Sequence, residues 1–191
     1  MEFSYNQKRE MNSFSQRSVT MASQGMVASS QHLATLSGYK TLLKGGNAVD
    51  AAVAMISTLN VVEPHSVGIG GDAFALIYLS KKNKIIGMNA SGRAPYKADL
   101  NYFKERNMKA MPERGMLAVT VPGALHGWSE AVAHYGNLEL SEVFEDAICY
   151  AENGFPVTEV IAGEWENAKE ILLSHKSASK TYLINGKAPK P

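Results

Sequence analysis

The stretch GGNAVDAAVA, residues 45–54, followed by VVEPHSVGIGG, residues 61–71, decides how this chain folds. Gly45-Gly46 closes a preceding helix, because glycine takes the positive φ of a helix C-terminus without a Cβ penalty. Asn47 is then an N-cap, and Asp50 at the third position puts negative charge at the positive end of the next helix. Val49, Ala52, Val53, Ile56 and Leu59 follow on one face. Ala48, Ala51, Ala52 and Ala54 keep that helix thin, which predicts a close neighbour. Pro64 stops it, and the turn Gly68-Ile69-Gly70-Gly71 comes next.

Upstream, Leu33, Leu36, Tyr39 and Leu43 recur at three- and four-residue spacing and predict a helix over 30–43. Downstream, the apolar runs 73–79 and 84–89 flank Ser80-Lys81-Lys82-Asn83 and predict a hairpin with a solvated polar turn. A short helix over 99–106, a strand over 117–121 and the punctuation Pro122-Gly123 follow. Helices are expected over 124–135, 140–153 and 160–173, with Trp128, Tyr135 and Trp165 at packing positions. Tyr182-Leu183-Ile184 reads as a short strand, and residues 185–191 are turn chemistry. A chain closing on such an opening predicts a fragment of a larger fold.

Length and charge exclude several classes. The 191 residues hold one domain or part of one, and 45% hydrophobic against 19% charged residues supply a real core. Nineteen basic residues, scattered among eighteen acidic ones, do not build a nucleic-acid surface. No apolar run reaches the roughly 18 residues of a membrane span. The polar N-terminus lacks a signal-peptide core, so residues 1–18 are expected as a flexible leader and the protein as soluble and cytoplasmic. The single Cys149 excludes an internal disulfide, and its setting in AICYAENG predicts a buried, inert thiol.

No complete catalytic set is written in the chain. Residues 68–73 fit G-x-G-x-x-A, but a dinucleotide site needs a strand before the glycines and a helix after them, and here the order is reversed. The run is either a tight turn feeding a buried strand or a wall of a substrate pocket. His32, His65, His126, His134 and His175 show no metal-ligand spacing, so no metal site is expected. His65, in Glu63-Pro64-His65-Ser66, is expected to be hydrogen-bonded structure. No G-x-S-x-G elbow is present, and nothing pairs the loop serines Ser66 and Ser91 with a histidine. Arg93, between Gly92 and Ala94-Pro95, is either a carboxylate clamp on a constrained loop or a surface arginine.

Taken in order, GGNAVDAAVA, VVEPHSVGIGG, Val121-Pro122-Gly123 with Gly127-Trp128, Tyr135-Gly136, and Ala151-Glu152-Asn153-Gly154-Phe155 resemble the gamma-glutamyltransferase (gamma-glutamyltranspeptidase) family. The resemblance runs from about Val19 to the C-terminus. It implies an α+β fold, the αββα sandwich of N-terminal-nucleophile hydrolases, incomplete in this chain, with residues 19–191 as a partial large-subunit domain. It also implies a self-cleaving precursor whose small subunit carries an N-terminal threonine nucleophile, with its own α-amino group as base. The substrate would be a γ-glutamyl or other acyl amide, such as glutathione, and no cofactor is implied. This chain corresponds to the front of the large subunit, so by itself it is expected to be inactive and to need the missing small subunit.

One large-subunit contact is implied, an arginine in R-E-x-A-P that binds the glutamyl α-carboxylate. Aligned on Ala94-Pro95, Ser91 stands where that arginine belongs, and Arg93 lies two places on. Ser91 and Arg93 are therefore the candidate substrate-binding residues. Gly-Gly-Asp-Ala-Phe, residues 70–74, also departs from a longer glycine run. Both differences resemble the acylase branch of the family and imply, as an alternative, a glutaryl-type amide substrate. A non-catalytic truncated product is the rival reading.

Overall fold

The computed structural model describes residues 18–191. All but Ser18 of the leader expected over 1–18 lies outside the described residues.

Two helices lay the foundation. Helix α1 (His32–Leu43) is capped by the Gln31 side chain, and Gly45 after it has φ +95°. Helix α2 (Ala48–Val62) begins with a full capping box, in which Asn47 and Asp50 satisfy one another's backbone N–H groups. The helices pack as closely as the alanine pattern predicts: a Cβ on Gly38 would sit 3.2 Å from the Ala51 carbonyl oxygen and collide with Met55. The face of α1 is not the one its large residues mark. Leu33 is buried, but Leu36, Tyr39 and Leu43 are exposed, while Ala34, Ser37, Gly38 and Thr41 face α2. A small-residue seam lets the backbones approach, and the larger side chains are left outside it. On α2, Val49 and Val53 are buried as expected, whereas Ala52 faces out and Ala51, Ala54 and Thr58 join the interior.

Strands β1 (Ala73–Leu79) and β2 (Lys84–Ala90) form an antiparallel hairpin through a 3-10 turn at Ser80–Lys82, with Asn83 left-handed at φ 46°. One face, with Ala73, Ala75, Ile77 and Met88, is half-buried; the opposite face presents Phe74, Leu76, Tyr78 and Ile85 to solvent. Helix α3 (Leu100–Lys104) is short. The strand expected over 117–121 is not formed. Pro122 has no N–H to extend a ladder. Apart from the local turn bond from Ala118 N–H to the Gly115 carbonyl, the segment's one backbone bond among the described residues runs from Val121 N–H to the Arg93 carbonyl, before Gly123 turns to another partner.

Helix α4 (Ala124–Tyr135) follows, and Trp128 and Val132 join Val53, Ala54, Ala124 and Val143 in the main core. Tyr135 is only half-buried. The helix expected over 140–153 divides at Phe144 into α5 (Leu140–Val143) and α6 (Glu145–Asn153). Cys149 is exposed, contrary to expectation. It follows the buried Ala147 by two residues, a rotation of about 200° that carries it to the far side of α6.

The span 160–173 likewise divides at Ala168 into α7 (Glu159–Asn167) and α8 (Lys169–Leu173). The strand expected at Tyr182–Ile184 is replaced by α9 (Lys176–Tyr182) and a tight turn, where Ile184 pairs with Lys187 around left-handed Asn185 and Gly186. Leu183 instead enters a second core with Ile161, Trp165 and Leu172. The result is a helix-rich α+β arrangement with one small sheet. Among the described residues no helix is long and apolar enough to cross a membrane.

Candidate functional site

Three loops converge at the open end of the hairpin. The glycine turn 68–72 precedes β1, residues 91–93 follow β2, and residues 120–123 lead into α4. They are joined largely through backbone. The Gly71 carbonyl accepts N–H bonds from Gly123 (3.2 Å) and Ala124 (3.0 Å). Val121 N–H donates to the Arg93 carbonyl at 3.0 Å. A Cβ on Gly92 would sit 1.5 Å from the Val121 oxygen, and one on Gly123 would sit 2.4 Å from the Ala90 oxygen. Only glycine permits this approach. The glycine run thus makes a backbone junction; its strand is half-exposed rather than buried.

The structure places Ser91 and Arg93 on the same exposed loop, one on each side of Gly92. Ser91 N–H is held by the Asn89 side-chain oxygen at 2.9 Å, an Asx-type turn off the end of β2. The Arg93 guanidinium has no carboxylate within 4.0 Å among the described residues, so its five donors are available to an anion. Two further groups belong here that the sequence did not mark. Asp72 Oδ1 accepts the Gly92 N–H at 2.7 Å and the Thr120 hydroxyl at 3.1 Å. An acid directly after a glycine turn was the available signal.

Behind the junction, a cleft of about 1220 Å³ opens between α2, β1 and α4. Val53, Ile56, Ala73, Ile77 and Trp128 give it an apolar wall, and Asp72 and Gly71 stand at its edge. Ser91 and Arg93 do not line it. Such a wide, apolar gap between helices and sheet has the character of unfilled core more than of a polar-gated ligand pocket.

His65 does not take its expected form. Its Nδ1 is buried without a hydrogen-bond partner among the described residues. The polar bonding of that turn runs instead through buried Glu63, whose Oε2 accepts from Ser30 (2.9 Å) and Ser66 (3.2 Å). His126 and His134 are exposed beside Glu130. Among the described residues no three His, Cys, Asp or Glu side chains gather as a metal set.

Residues 34–191 match the gamma-glutamyltranspeptidase family. The chain belongs to that family. It is 40% identical over 167 residues to the glutathione hydrolase-like YwrD proenzyme of Bacillus subtilis (strain 168), covering 87% of this chain and 31% of that protein. The chain therefore spans about a third of the length of such curated relatives. Among solved structures, the gamma-glutamyltranspeptidase of Helicobacter pylori superimposes with a TM-score of 0.82 at 34% identity, over 91% of this chain and 50% of that one. A cephalosporin acylase from Bacillus halodurans matches with a TM-score of 0.77 at 38% identity, over 93% and 35% of the two chains. Gamma-glutamyltranspeptidase-type and acylase-type proteins thus both share this fold.

Proposed function

We propose that this chain is the front portion of the large subunit of an autoprocessing gamma-glutamyltranspeptidase-family enzyme that transfers or hydrolyses γ-glutamyl amides, glutathione included. In this reading the complete fold is an αββα sandwich. A downstream small subunit supplies the threonine nucleophile, which forms an acyl-enzyme with release of the amine. Water or an acceptor amine then takes the acyl group. This chain contributes one wall of the site, where Arg93 holds the acyl carboxylate through paired hydrogen bonds. The observation that carries the reading is the exposed Arg93, whose guanidinium pairs with no carboxylate among the described residues, on a loop pinned against the Gly71 and Gly123 segments. The apolar outer face of the hairpin supports it too: Phe74 is 70% and Leu76 83% exposed, a surface suited to a second layer rather than to water.

A second reading, an acylase for glutaryl-type amides, is favoured by Ser91 at the place of the motif arginine and by the 38% identity to a cephalosporin acylase. The two differ in the α-amino group of the acyl moiety. Assaying the complete protein on γ-glutamyl and glutaryl anilides separates them. Turnover of neither substrate defeats both readings and leaves the non-catalytic product. Turnover by the purified 191-residue chain alone defeats the need for a second subunit.

A further inference from the structure

Asp72 has no place in the chemistry described so far, yet it touches two of the three loops around the candidate site and sits on the third. We propose that Asp72 is a positioning residue that fixes the loop carrying Ser91 and Arg93, and thereby sets how tightly the acyl carboxylate is held. The inference rests on the reading of Arg93 as the carboxylate contact.

Residues 91, 92 and 93 each have one backbone group held. Ser91 N–H is tied to Asn89 within its own turn, and the Arg93 carbonyl is tied to Val121 N–H. The middle bond, Gly92 N–H to Asp72 Oδ1 at 2.7 Å, is the one that ties this loop to the glycine turn, 20 residues away in sequence. Its acceptor is charged, which makes it the stronger kind of hydrogen bond. The same oxygen takes the Thr120 hydroxyl, and Gly71 next door receives the first N–H groups of α4. Asp72 is thus bonded to the segment leading into α4 as well as to the loop, and its neighbour Gly71 is tied to the start of that helix.

Gly92 lies so close to the Val121 carbonyl that no Cβ fits, yet without a side chain that contact has no directional hold of its own. The N–H bond to Asp72 adds a directional restraint. With Gly92 N and Arg93 O both fixed, only the arginine's own rotamers remain free, and less freedom is lost when a carboxylate binds. The Asp72 charge itself repels an anionic acyl group, so its contribution is geometric.

That reasoning separates Asp72→Ala from Asp72→Asn. The asparagine variant keeps an oxygen acceptor and drops the charge. In the complete enzyme, Asp72→Ala raises KM for a carboxylate-bearing acyl amide about 10-fold while kcat changes less than about 3-fold. Asp72→Asn stays within about 2-fold of the parent, and Thr120→Val falls between the two. In the 191-residue chain, the Gly92 amide exchanges with solvent at least about 10-fold faster in Asp72→Ala and not in Asp72→Asn. Equal damage from both variants overturns the proposal, since an oxygen acceptor at position 72 would then not be enough to hold the loop. An unchanged KM or an unchanged Gly92 exchange rate in Asp72→Ala overturns it as well. If the complete parent enzyme cleaves no acyl amide, the functional reading fails, and the exchange measurement alone decides whether Asp72 holds the loop.

Discussion

The buried Asp50 carboxylate accepts the backbone N–H of Asn137 at 2.9 Å, joining positions 87 residues apart. The same oxygen, Oδ2, accepts the Asn47 N–H at 2.8 Å and so closes the capping box of α2. One side chain therefore starts a helix and fastens the loop after α4 to it. Asp50→Ala removes the shared acceptor from the Asn47 and Asn137 N–H groups, whose bonds to it are partly buried. The expected loss is about 3 kcal/mol of unfolding free energy, read by urea titration. Asp50→Asn, which retains an oxygen acceptor, loses about half as much. A change below about 1 kcal/mol in the alanine variant would show that water satisfies these donors.

Glycines at the loop junction divide into two kinds. At Gly92 an added Cβ meets the Val121 carbonyl, whereas at Gly70 it meets nothing within 4 Å. Gly92→Ala must push the 120–123 segment away, at a cost of about 2–3 kcal/mol, and it displaces Arg93 with it. Gly70→Ala has space and no positive φ to relieve, so its stability stays within about 0.5 kcal/mol of the parent. Parallel thermal melts of the two variants test the contrast, and equal melting temperatures would count against the packed junction.

The local parts of this architecture were legible because their signals are local. Asn47 with Asp50 and Pro64 fix the ends of α2, Gly45 closes α1, and Ser80–Asn83 sets the hairpin turn whatever lies around them. Helix α4 was bounded by glycine on each side. Other features depended on tertiary partners. Leu36, Tyr39 and Leu43 match a helical stripe, yet Gly38 and Ser37 decide the contact because the neighbouring backbone comes so near. Residues 117–121 have strand-like composition but lack a strand to pair with among the described residues. At the site, Ser91 and Arg93 were legible as loop residues, while Asp72 and Thr120 were not. Their roles arise from bonds across 20 and 48 residues that no spacing encodes.

Lys40 on α1 reaches Asp146 on α6 at 2.9 Å, and Lys44 pairs with Glu145 one turn along. The hydrogen bond to Asp146, opposed by partial burial and aided by its charge, holds the Lys40 pKa above the usual 10.5. A lysine raised in the folded state contributes stability fully below its unfolded value. That contribution is lost as pH rises through the folded value, so the window lies above 10.5. Lys40 is 45% exposed, so solvent and salt screen the pair to about 0.5 kcal/mol. Asp146→Asn should lower stability by that amount at neutral pH, with the difference from the parent closing in strongly alkaline buffer. A difference that persists there would assign the effect to packing.

The outer hairpin face should govern how the 191-residue chain behaves alone. Phe74, Leu76, Tyr78 and Ile85 lie side by side on it, all more than half exposed. Such a patch drives association unless a second layer covers it. Replacing Leu76 with Lys should shift the chain toward monomer in sedimentation or light scattering. In a complete protein, the same change should lower stability by about 2 kcal/mol or more, because it buries an unpaired charge. A parent chain that runs as a monodisperse monomer, unchanged by Leu76→Lys, would mean that this face needs no cover.

Arg93 provides the sharpest test of the site. Its guanidinium is free of carboxylates among the described residues, while its backbone is held through Val121. If it clamps the acyl carboxylate, Arg93→Ala in the complete enzyme removes a bidentate contact of about 2–3 kcal/mol, or roughly 30–150-fold in affinity. Arg93→Lys should recover only part of that loss, because an ammonium cannot reproduce the planar fork. The decisive comparison is an acyl amide that lacks the carboxylate. Its KM should be the same in parent and variant, since the contact it would lose does not exist. If both substrates weaken together, Arg93 supports the loop rather than the ligand. If neither weakens, carboxylate recognition lies elsewhere and Ser91, at the position of the motif arginine, becomes the next residue to substitute.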